Sequence, residues 1–325
     1  MTLPPGTFTL SLDFELIWGT LDTRGPDGFR EACLIERDVV VERLLKLLDE
    51  FSISATWCVL GHLFLSSCER VNGKPHSEIV RPHHAWAAGD WFANDPCTDE
   101  HTDPLFYGRE LVDRIRACPT RQEIGSHTFS HPILGDAGCS REAAASDLDA
   151  CVRLAEAAGV ELRSFAFPRN RVGHLDVLHE HGFTAFRGPE RHWHARPRVP
   201  PRVARLGHLA DVLLARRPPV VEARETLPGL WNVSGSMIYF PAHGARRFIP
   251  ISRRVRRAVK GLDRAATEGR IFHLWFHPTN LADETDAMFD GLRAILQRAD
   301  RLRDDGRLRV GSMSEVVSGA TSARG

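Results

Sequence analysis

Hydrophobic and polar residues follow two different periods along the chain, and the two alternate. Short apolar runs bounded by turn residues predict strands, whereas apolar residues at helical spacing predict amphipathic helices. The predicted strands cover residues 7–13, 53–60, 122–126, 162–167, 183–186, 271–276 and 308–312. The predicted helices cover residues 35–51, 109–118, 140–158, 174–181 and 284–302. This alternation is typical of an α/β protein with a parallel sheet and helical crossovers.

Two long segments interrupt the alternation. Residues 62–108 are rich in His, Pro, Trp and Asp, and residues 188–266 combine proline pairs with an arginine-rich stretch. Loops of this length inside a compact domain usually form lids or binding elaborations, although partial disorder or a small subdomain would also explain them. Neither segment has the simple composition of a linker. We therefore expect residues 1–325 to form a single domain with two inserts.

Overall composition excludes some classes of function. The 325 residues carry 42 basic and 42 acidic side chains, and a formal net charge of zero argues against a general nucleic-acid binder. The seven cysteines are odd in number and form no CxxC pair, which argues against a disulfide framework and against a structural zinc site. With no signal peptide visible and no apolar run of about 18 residues, we expect a cytoplasmic protein, able to sit peripherally at the inner membrane face.

Several polar residues share one property, since each lies at the end of a predicted strand or within five residues after it. They are Asp13, Glu15, His127, His131, Arg169 and His277. The carboxyl ends of parallel strands meet at one edge of a sheet or barrel, where catalytic sites gather. We therefore expect these side chains to converge, although they are far apart in the sequence.

The strongest single signal is the pair His127 and His131. A spacing of four places two imidazoles on one face of a helical turn, about 5–6 Å apart at Cβ. Two such ligands and one carboxylate leave a position for water, which is the pattern of a catalytic zinc site. Because the chain has sixteen histidines, a chance pair explains this spacing alone equally well.

The remaining candidates are weaker when each is taken alone. Acids after a strand, such as Asp13 and Glu15, commonly cap a helix or solvate a loop. A histidine after an apolar strand, such as His277, is more often a hydrogen-bonded structural residue. Arg169 would equally well pair with a surface carboxylate. Only the combination points to chemistry.

That combination resembles the NodB-type polysaccharide deacetylases, carbohydrate esterase family 4. SHTFSHP at residues 126–132 resembles the family's H-[ST]-x-x-H-P metal motif, and LWFH at residues 274–277 resembles its L-x-x-H motif. ATWCVLG at 55–61, GFTAFR at 182–187 and RVGSMSE at 309–315 resemble three of its strands. The resemblance implies a distorted (β/α) barrel of about seven parallel strands. It also implies a metal-dependent de-N-acetylase, and the two inserts lie outside the matched blocks.

The resemblance assigns roles by position. Glu15, His127 and His131 would hold a divalent metal, Zn²⁺ by preference. Asp13 would be the general base and His277 the general acid. The first motif reads SLDFE where the family has Thr-Phe-Asp-Asp, so the roles of the two acids could be exchanged, or Asp13 could be the ligand with Glu15 outside the shell.

A second departure concerns the arginine that orients the base. FPRN at residues 167–170 contains the Arg and Pro of the R-x-P motif in reversed order, so Arg169 is the candidate for that role. The aspartate that tunes the acid histidine in the family has no clear match. Asp176 and Asp211 are the two candidates.

The inserts should determine the substrate. Tryptophans there could stack on sugar faces or belong to the core; they are Trp86, Trp91, Trp193 and Trp231. Polar residues of the first insert suggest a second metal or, more simply, a solvated loop; they are His83, His84, Asp90, Asp95 and His101. The second insert holds arginines suited to a diphosphate or an anionic membrane, or to a solvated helix face; they are Arg246, Arg247, Arg253, Arg254, Arg256 and Arg257.

Three functions are compatible with these motifs. The first is hydrolysis of the N-acetyl group of an amino sugar, free or carried on a nucleotide or lipid diphosphate. The second is cleavage of another C–N bond, in an N-formyl group or a cyclic amide, where metal-free relatives exist; the intact histidine pair argues against the metal-free branch. The third is a non-catalytic carbohydrate-binding descendant. The presence of both acids and of His277 argues against that reading.

Overall fold

A computed structural model of the protein describes residues 4–25, 27–190, 211 and 214–322. Its strands are β1 (Gly6–Phe14), β2 (Thr56–Val59), β3 (Arg70–Val71), β4 (Lys74–Pro75), β5 (Glu123–Ser126), β6 (Ser164–Ala166), β7 (Ala185–Arg187), β8 (Arg224–Leu227), β9 (Leu230–Asn232), β10 (Met237–Ile238), β11 (Ile271–Phe276) and β12 (Leu308–Val310). Its α-helices are α1 (Leu21–Arg24), α2 (Arg30–Ile35), α3 (Val41–Glu50), α4 (Arg109–Arg116), α5 (Arg141–Ala157), α6 (Leu175–Glu180), α7 (Ile251–Glu268), α8 (Thr285–Asp304) and α9 (Met313–Ser322).

One curled sheet forms the centre of the described structure. Its strand order is β10-β11-β1-β2-β5-β6-β7-β9-β8, and β12 pairs with β1 from outside this path. Every pairing from β10 to β9 is parallel, and β8 is antiparallel to β9. The prediction of a distorted (β/α) barrel with about seven parallel strands is thus confirmed.

Strands β1 and β11 are buried along almost their whole length, as expected for parallel strands whose two faces are both covered. Helices α7 and α8 pack on each other, and α7 also packs on β1 and β11. Helix α5 begins as predicted, because the Ser140 hydroxyl accepts a hydrogen bond from the backbone N–H of Ala143. The carboxyl ends of all these strands therefore point to one rim.

Two differences between the sequence prediction and the structure concern the elements around the sheet. The predicted helix over residues 35–51 is interrupted by a π-helical turn at Glu36–Val40, between α2 and α3. Much of residues 188–266 is not an insert, since it supplies β9 and β10 of the sheet and the long helix α7. The sequence analysis missed them because α7 is rich in arginine and because β9 and β10 are only three and two residues long. Within the described residues, no helix is long and apolar enough to cross a membrane.

Candidate metal centre and catalytic site

Five of the six predicted side chains meet at the carboxyl rim of the sheet. Glu15 lies just beyond β1, and its Oε2 is 3.0 Å from His127 Nε2 and 3.3 Å from His131 Nε2. His277 Nε2 lies 3.3 Å from Glu15 Oε1 and 3.7 Å from Asp13 Oδ2. Asp13 and Glu15 are both buried. The expectation that residues after separate strands converge is met for this group.

The two histidines are not on a helical turn, contrary to the sequence interpretation. They lie on a loop after β5, in which Thr128 and His131 have φ angles of 67° and 65°. The buried carboxylate of Asp147, on α5, accepts hydrogen bonds from the backbone N–H groups of Phe129 at 2.6 Å and Ser130 at 3.1 Å. These bonds hold the left-handed backbone that brings the rings together, with centroids 5.3 Å apart.

The donor set fits a divalent metal ion. His127 Nδ1 lies 2.8 Å from the carbonyl oxygen of Ala166, and since a carbonyl only accepts, Nδ1 carries the proton and the lone pair of Nε2, on the side facing Glu15, is available to a metal ion. Among the described residues none gives Glu15 Oε2 a well-formed hydrogen bond, although two imidazole nitrogens face it. In this buried site a carboxylate oxygen and imidazole nitrogens point toward one another. A cation bound between them would coordinate their lone pairs.

Local structure places the Glu15 side chain. The chain after β1 turns into a short 3₁₀ segment, Leu16–Thr20, which returns Gly19 against the Glu15 carboxylate. A Cβ atom at Gly19 would collide with that carboxylate. Burial tends to raise the pKa of Glu15, but the neighbouring imidazoles of His277, His127 and His131 bring it well below its ordinary value.

Arg187, which the sequence analysis did not select, is the residue that orients Asp13. Its two terminal nitrogens lie 2.7 and 2.6 Å from the two carboxylate oxygens of Asp13. It also donates to Ser11 Oγ, and its guanidinium stacks 4.2 Å from the ring of Trp275. Burial tends to raise the pKa of Asp13, but Arg187 lowers it below the ordinary value.

Arg169 was therefore the wrong choice for this role. Its Nε donates to Asp22 Oδ2 at 3.0 Å, and its side chain is part-exposed at the edge of the site. Arg187 ends β7 in the GFTAFR segment, so the rule that selected the other candidates, a polar residue at the carboxyl end of a strand, would also have found it. Of the two candidates for tuning His277, Asp176 pairs with Arg141 and Asp211 with Arg216.

A pocket of about 200 Å³ adjoins the candidate metal centre at His131. Trp86 and Trp91 of the first insert line it together with Trp18, Asp22, Ser130 and His131. Trp91 donates its indole N–H to the carbonyl oxygen of Ser130 at 2.9 Å, and Trp86 is 48% exposed. Both therefore have the position expected of substrate-binding aromatics, whereas Trp193 lies outside the described residues.

Two other predicted substrate contacts are wrong. Trp231 lies on β9, is 3% exposed, and packs in a satellite core with Ala185 and Met313. Arg254 is 1% exposed and donates to the carbonyl oxygens of Phe240 and Ile249, so it holds the turn before α7 in place. Both side chains are buried in contacts within the protein, so neither can reach a bound ligand. Arg253 is exposed on α7, as is Arg256, while Arg257 is buried.

Comparison with known proteins agrees with this geometry. The model of the polysaccharide deacetylase family matches residues 27–186, just under half of the chain, including both metal-motif histidines. The sequence matches none of the curated proteins. Three solved structures share the fold over nearly the whole chain.

A protein assigned as a polysaccharide deacetylase from Mycobacterium smegmatis is 15% identical with a TM-score of 0.63, covering 100% of this chain and 96% of its own. One from Pseudomonas aeruginosa PAO1 is 11% identical with a TM-score of 0.58, covering 96% and 89%. Puue allantoinase is 11% identical with a TM-score of 0.57, covering 96% and 88%. Residues 27–186 are thus similar to the polysaccharide deacetylases, a family of hydrolases that act on amide bonds, and the solved structures share the barrel fold of the whole chain.

Proposed function

We propose that the protein is a metal-dependent hydrolase that removes the N-acetyl group from an amino sugar. The observation that carries the proposal is the approach of Glu15 Oε2 to within 3.0 and 3.3 Å of two histidine nitrogens, beside Asp13 and His277. A non-catalytic carbohydrate binder would have no need for two acids and three histidines at one rim. Their joint burial is costly unless chemistry requires it.

Glu15, His127 and His131 would hold the metal, and Zn²⁺ suits a donor set of two imidazoles and one carboxylate. When bound there, the ion would make a water molecule more acidic and polarise the acyl carbonyl. This assignment makes Glu15 the ligand and Asp13 the base. It is supported by the hydrogen bonds of each carboxylate, since Asp13 has both oxygens on Arg187 whereas Glu15 turns one oxygen to the histidine pair.

Asp13 would accept the proton of the attacking water as general base. For this it must be ionised at neutral pH, and the guanidinium of Arg187 supports that state by lowering its pKa. Because both oxygens of Asp13 are already held by Arg187, the carboxylate has little rotational freedom. A base fixed in this way loses little entropy when the substrate binds.

His277 would donate a proton to the leaving amine as general acid. Its side chain is 28% exposed and reaches the site from the end of β11, opposite the metal-motif loop. Its Nε2 lies 3.7 Å from Asp13 Oδ2, so a proton taken up by the base needs to move only a short distance to reach the acid. Base and acid thus flank one position, as a single addition–elimination at an amide carbon requires.

The substrate would lie in the pocket beside His131. Trp86 and Trp91 present aromatic surface there, on which the apolar face of a pyranose ring could stack. A nucleotide or lipid diphosphate carrier would have to use arginines that the structure leaves exposed, of which Arg253 and Arg256 are two. Arg254 and Arg257 are buried and would not take part.

The test is to incubate the purified protein with N-acetyl and N-formyl amino sugars and with a cyclic amide, and to measure the masses of the products by mass spectrometry. Loss of an acetyl group supports deacetylation. Loss of a formyl group, or addition of water with no loss, would replace it by deformylation or ring opening. Chelation should abolish turnover and added Zn²⁺ should restore it; turnover that survives complete metal removal would refute the metal-dependent mechanism.

A further inference from the structure

A second group of potential metal ligands lies in the first insert, away from the centre described above. It consists of four side chains that are well separated in the sequence, those of His62, Cys68, His76 and Asp95. One donor atom of each lies within 4.8 Å of the others. His62, His76 and Asp95 are buried, and Cys68 is half-buried.

Four of the six distances between these donor atoms are close to the edges of a zinc tetrahedron. His62 Nε2 is 3.1 Å from His76 Nε2 and 3.2 Å from Asp95 Oδ2, and His76 Nε2 is 2.9 Å from the same oxygen. Cys68 Sγ lies 3.8 Å from it. Bonds of about 2.0–2.1 Å to nitrogen or oxygen and about 2.3 Å to sulfur give edges of roughly 3.3 and 3.6 Å. The observed separations differ from these by a few tenths of an ångström.

Hydrogen bonding alone does not satisfy the group. His62 Nδ1 lies 2.9 Å from the carbonyl oxygen of Phe106, so it carries the ring proton and leaves a lone pair on Nε2. That lone pair faces a carboxylate oxygen of Asp95 and the Nε2 of His76. A single proton on His76 Nε2 would have to serve both neighbours.

We propose that His62, Cys68, His76 and Asp95 form a second metal site, which takes Zn²⁺ as a structural ion. A thiolate ligand favours zinc over the hard cations Mg²⁺ and Ca²⁺, which take oxygen donors. Four protein ligands leave no position for substrate, and closed tetrahedral sites are structural. The Cys68 thiol loses its proton to solvent when the metal binds, and no oxidant or reductant is needed.

The position of this site explains what it would do. His62 follows β2, and the other three ligands are distributed along the insert up to Asp95, so one ion would tie the segment to the barrel. The ring of Phe129, from the metal-motif loop, lies 5.4 Å from that of His62 and 5.0 Å from that of His76. Trp18, which lines the substrate pocket, lies 4.4 Å from the His62 ring. The ion would therefore fix one wall of the pocket.

Metal content measured by mass spectrometry tests the proposal without reference to activity. The wild-type protein and three variants are compared: Cys68→Ser, the double variant His127→Ala/His131→Ala, and Cys118→Ser as a matched control outside the group. The double variant should keep one zinc per chain, and Cys68→Ser should lose one relative to Cys118→Ser. A double variant without zinc would overturn the proposal.

Cobalt substitution provides a second readout that identifies the ligand. Because only the insert site contains a thiolate, Co²⁺ bound there should give a sulfur-to-cobalt charge-transfer band in the near ultraviolet. The band should persist in the His127→Ala/His131→Ala variant and disappear in Cys68→Ser. If Cys68→Ser fails to fold, the double variant alone decides, since cobalt binding without this band would contradict thiolate ligation. These results do not depend on whether the protein proves to be a deacetylase.

Discussion

Arg187 and Asp13 form a buried bidentate ion pair, although they are 174 positions apart in the sequence. The pair joins the ends of β1 and β7, which are not neighbours in the sheet. Removing one partner of such a pair leaves an uncompensated buried charge, which typically costs about 3–5 kcal/mol. Position and ionisation of the proposed base are therefore set by one residue on a distant strand.

Replacing Arg187 should impair catalysis because it raises the pKa of Asp13, the proposed general base. In Arg187→Met, burial is no longer opposed by the guanidinium, so the pKa of Asp13 should rise. Since the base acts when ionised, the acid limb of the kcat/KM profile should move to higher pH. At neutral pH kcat/KM should fall by on the order of 100-fold, a typical contribution of a general base. The measurement is the pH profile of turnover.

Arg169→Met is the matched control, because Arg169 pairs with Asp22 at the pocket edge. Its acid limb should coincide with that of the wild type. If Arg169→Met moved the limb and Arg187→Met did not, the orientation of Asp13 assigned to Arg187 would be wrong. An Asp13→Asn/Arg187→Met double variant should recover stability but not activity, which separates misfolding from lost chemistry.

The two acids should respond differently to substitution. Asp13→Asn should keep the metal and lose turnover by about 10²–10⁴-fold, as expected for loss of a general base. Glu15→Gln should lose metal affinity, because it removes the anionic ligand. Isothermal titration with Zn²⁺ at matched pH checks both variants. Equal loss of metal affinity in the two would mean that Asp13 is also a ligand.

Asp147 should make stability depend on pH. Burial raises its pKa to about 6, although the N–H groups of Phe129 and Ser130 oppose this. Because the folded-state pKa lies above the unfolded value near 3.8, the contribution of Asp147 is greatest below pH 4 and is lost as the pH rises through 6. The difference in unfolding free energy between wild type and Asp147→Asn should fall by roughly 3 kcal/mol over that range.

Urea unfolding at several pH values between 4 and 7 would measure this difference. Asp149→Asn is the control, since Asp149 lies on the same helix with its carboxylate exposed. A wild-type minus Asp147→Asn difference that rises with pH would contradict the raised pKa. Asp147→Asn should also bind zinc more weakly, because an amide cannot accept all the hydrogen bonds that hold the metal-motif loop.

Trp86 should contribute to substrate binding and little to folding. Because it is 48% exposed at the pocket, Trp86→Ala should raise KM about fivefold, as expected for loss of roughly 1 kcal/mol of stacking. Its unfolding free energy should change by less than about 0.5 kcal/mol. Phe248→Ala, another exposed aromatic, should leave KM unchanged. An unchanged KM in Trp86→Ala would remove the stacking role.

Substitution of two neighbouring arginines of α7 should have different effects, because one is buried and the other is exposed. Arg254→Met should destabilise the fold by at least about 2 kcal/mol, because buried carbonyl oxygens would lose a charged donor. Arg253→Gln should leave the melting temperature unchanged, since its side chain is exposed. A KM increase in Arg253→Gln on a diphosphate-linked sugar, and none on the free sugar, would support a phosphorylated carrier. Equal effects on both sugars would exclude it.

Sequence reasoning recovered the barrel and most of the rim because both depend on local patterns. Apolar runs mark the strands, and the rule that polar residues after parallel strands converge placed Asp13, Glu15 and His277 correctly. It misassigned the orienting arginine because a reversed motif was preferred to a strand-end position. That residues 1–325 form a single domain stays a prediction.

The remaining errors concern properties that the sequence does not carry. Nothing local distinguishes buried Arg254 from exposed Arg253, because helix phase relative to the core is set by tertiary packing. Trp231 was assigned to an insert because β9 is only three residues long. The absence of CxxC argued against a structural zinc site, whereas the proposed site draws single ligands from four positions, whose proximity only the folded insert shows.

The hydrogen bonds from the metal-motif loop to Asp147 also have a consequence for dynamics. The carboxylate belongs to α5, so opening of that helix withdraws the acceptor on which the loop conformation depends. Conversely, an ion bound by His127 and His131 would hold the loop, and through it the helix. Amide hydrogen exchange in α5 should therefore slow when metal is added, although the helix supplies no ligand.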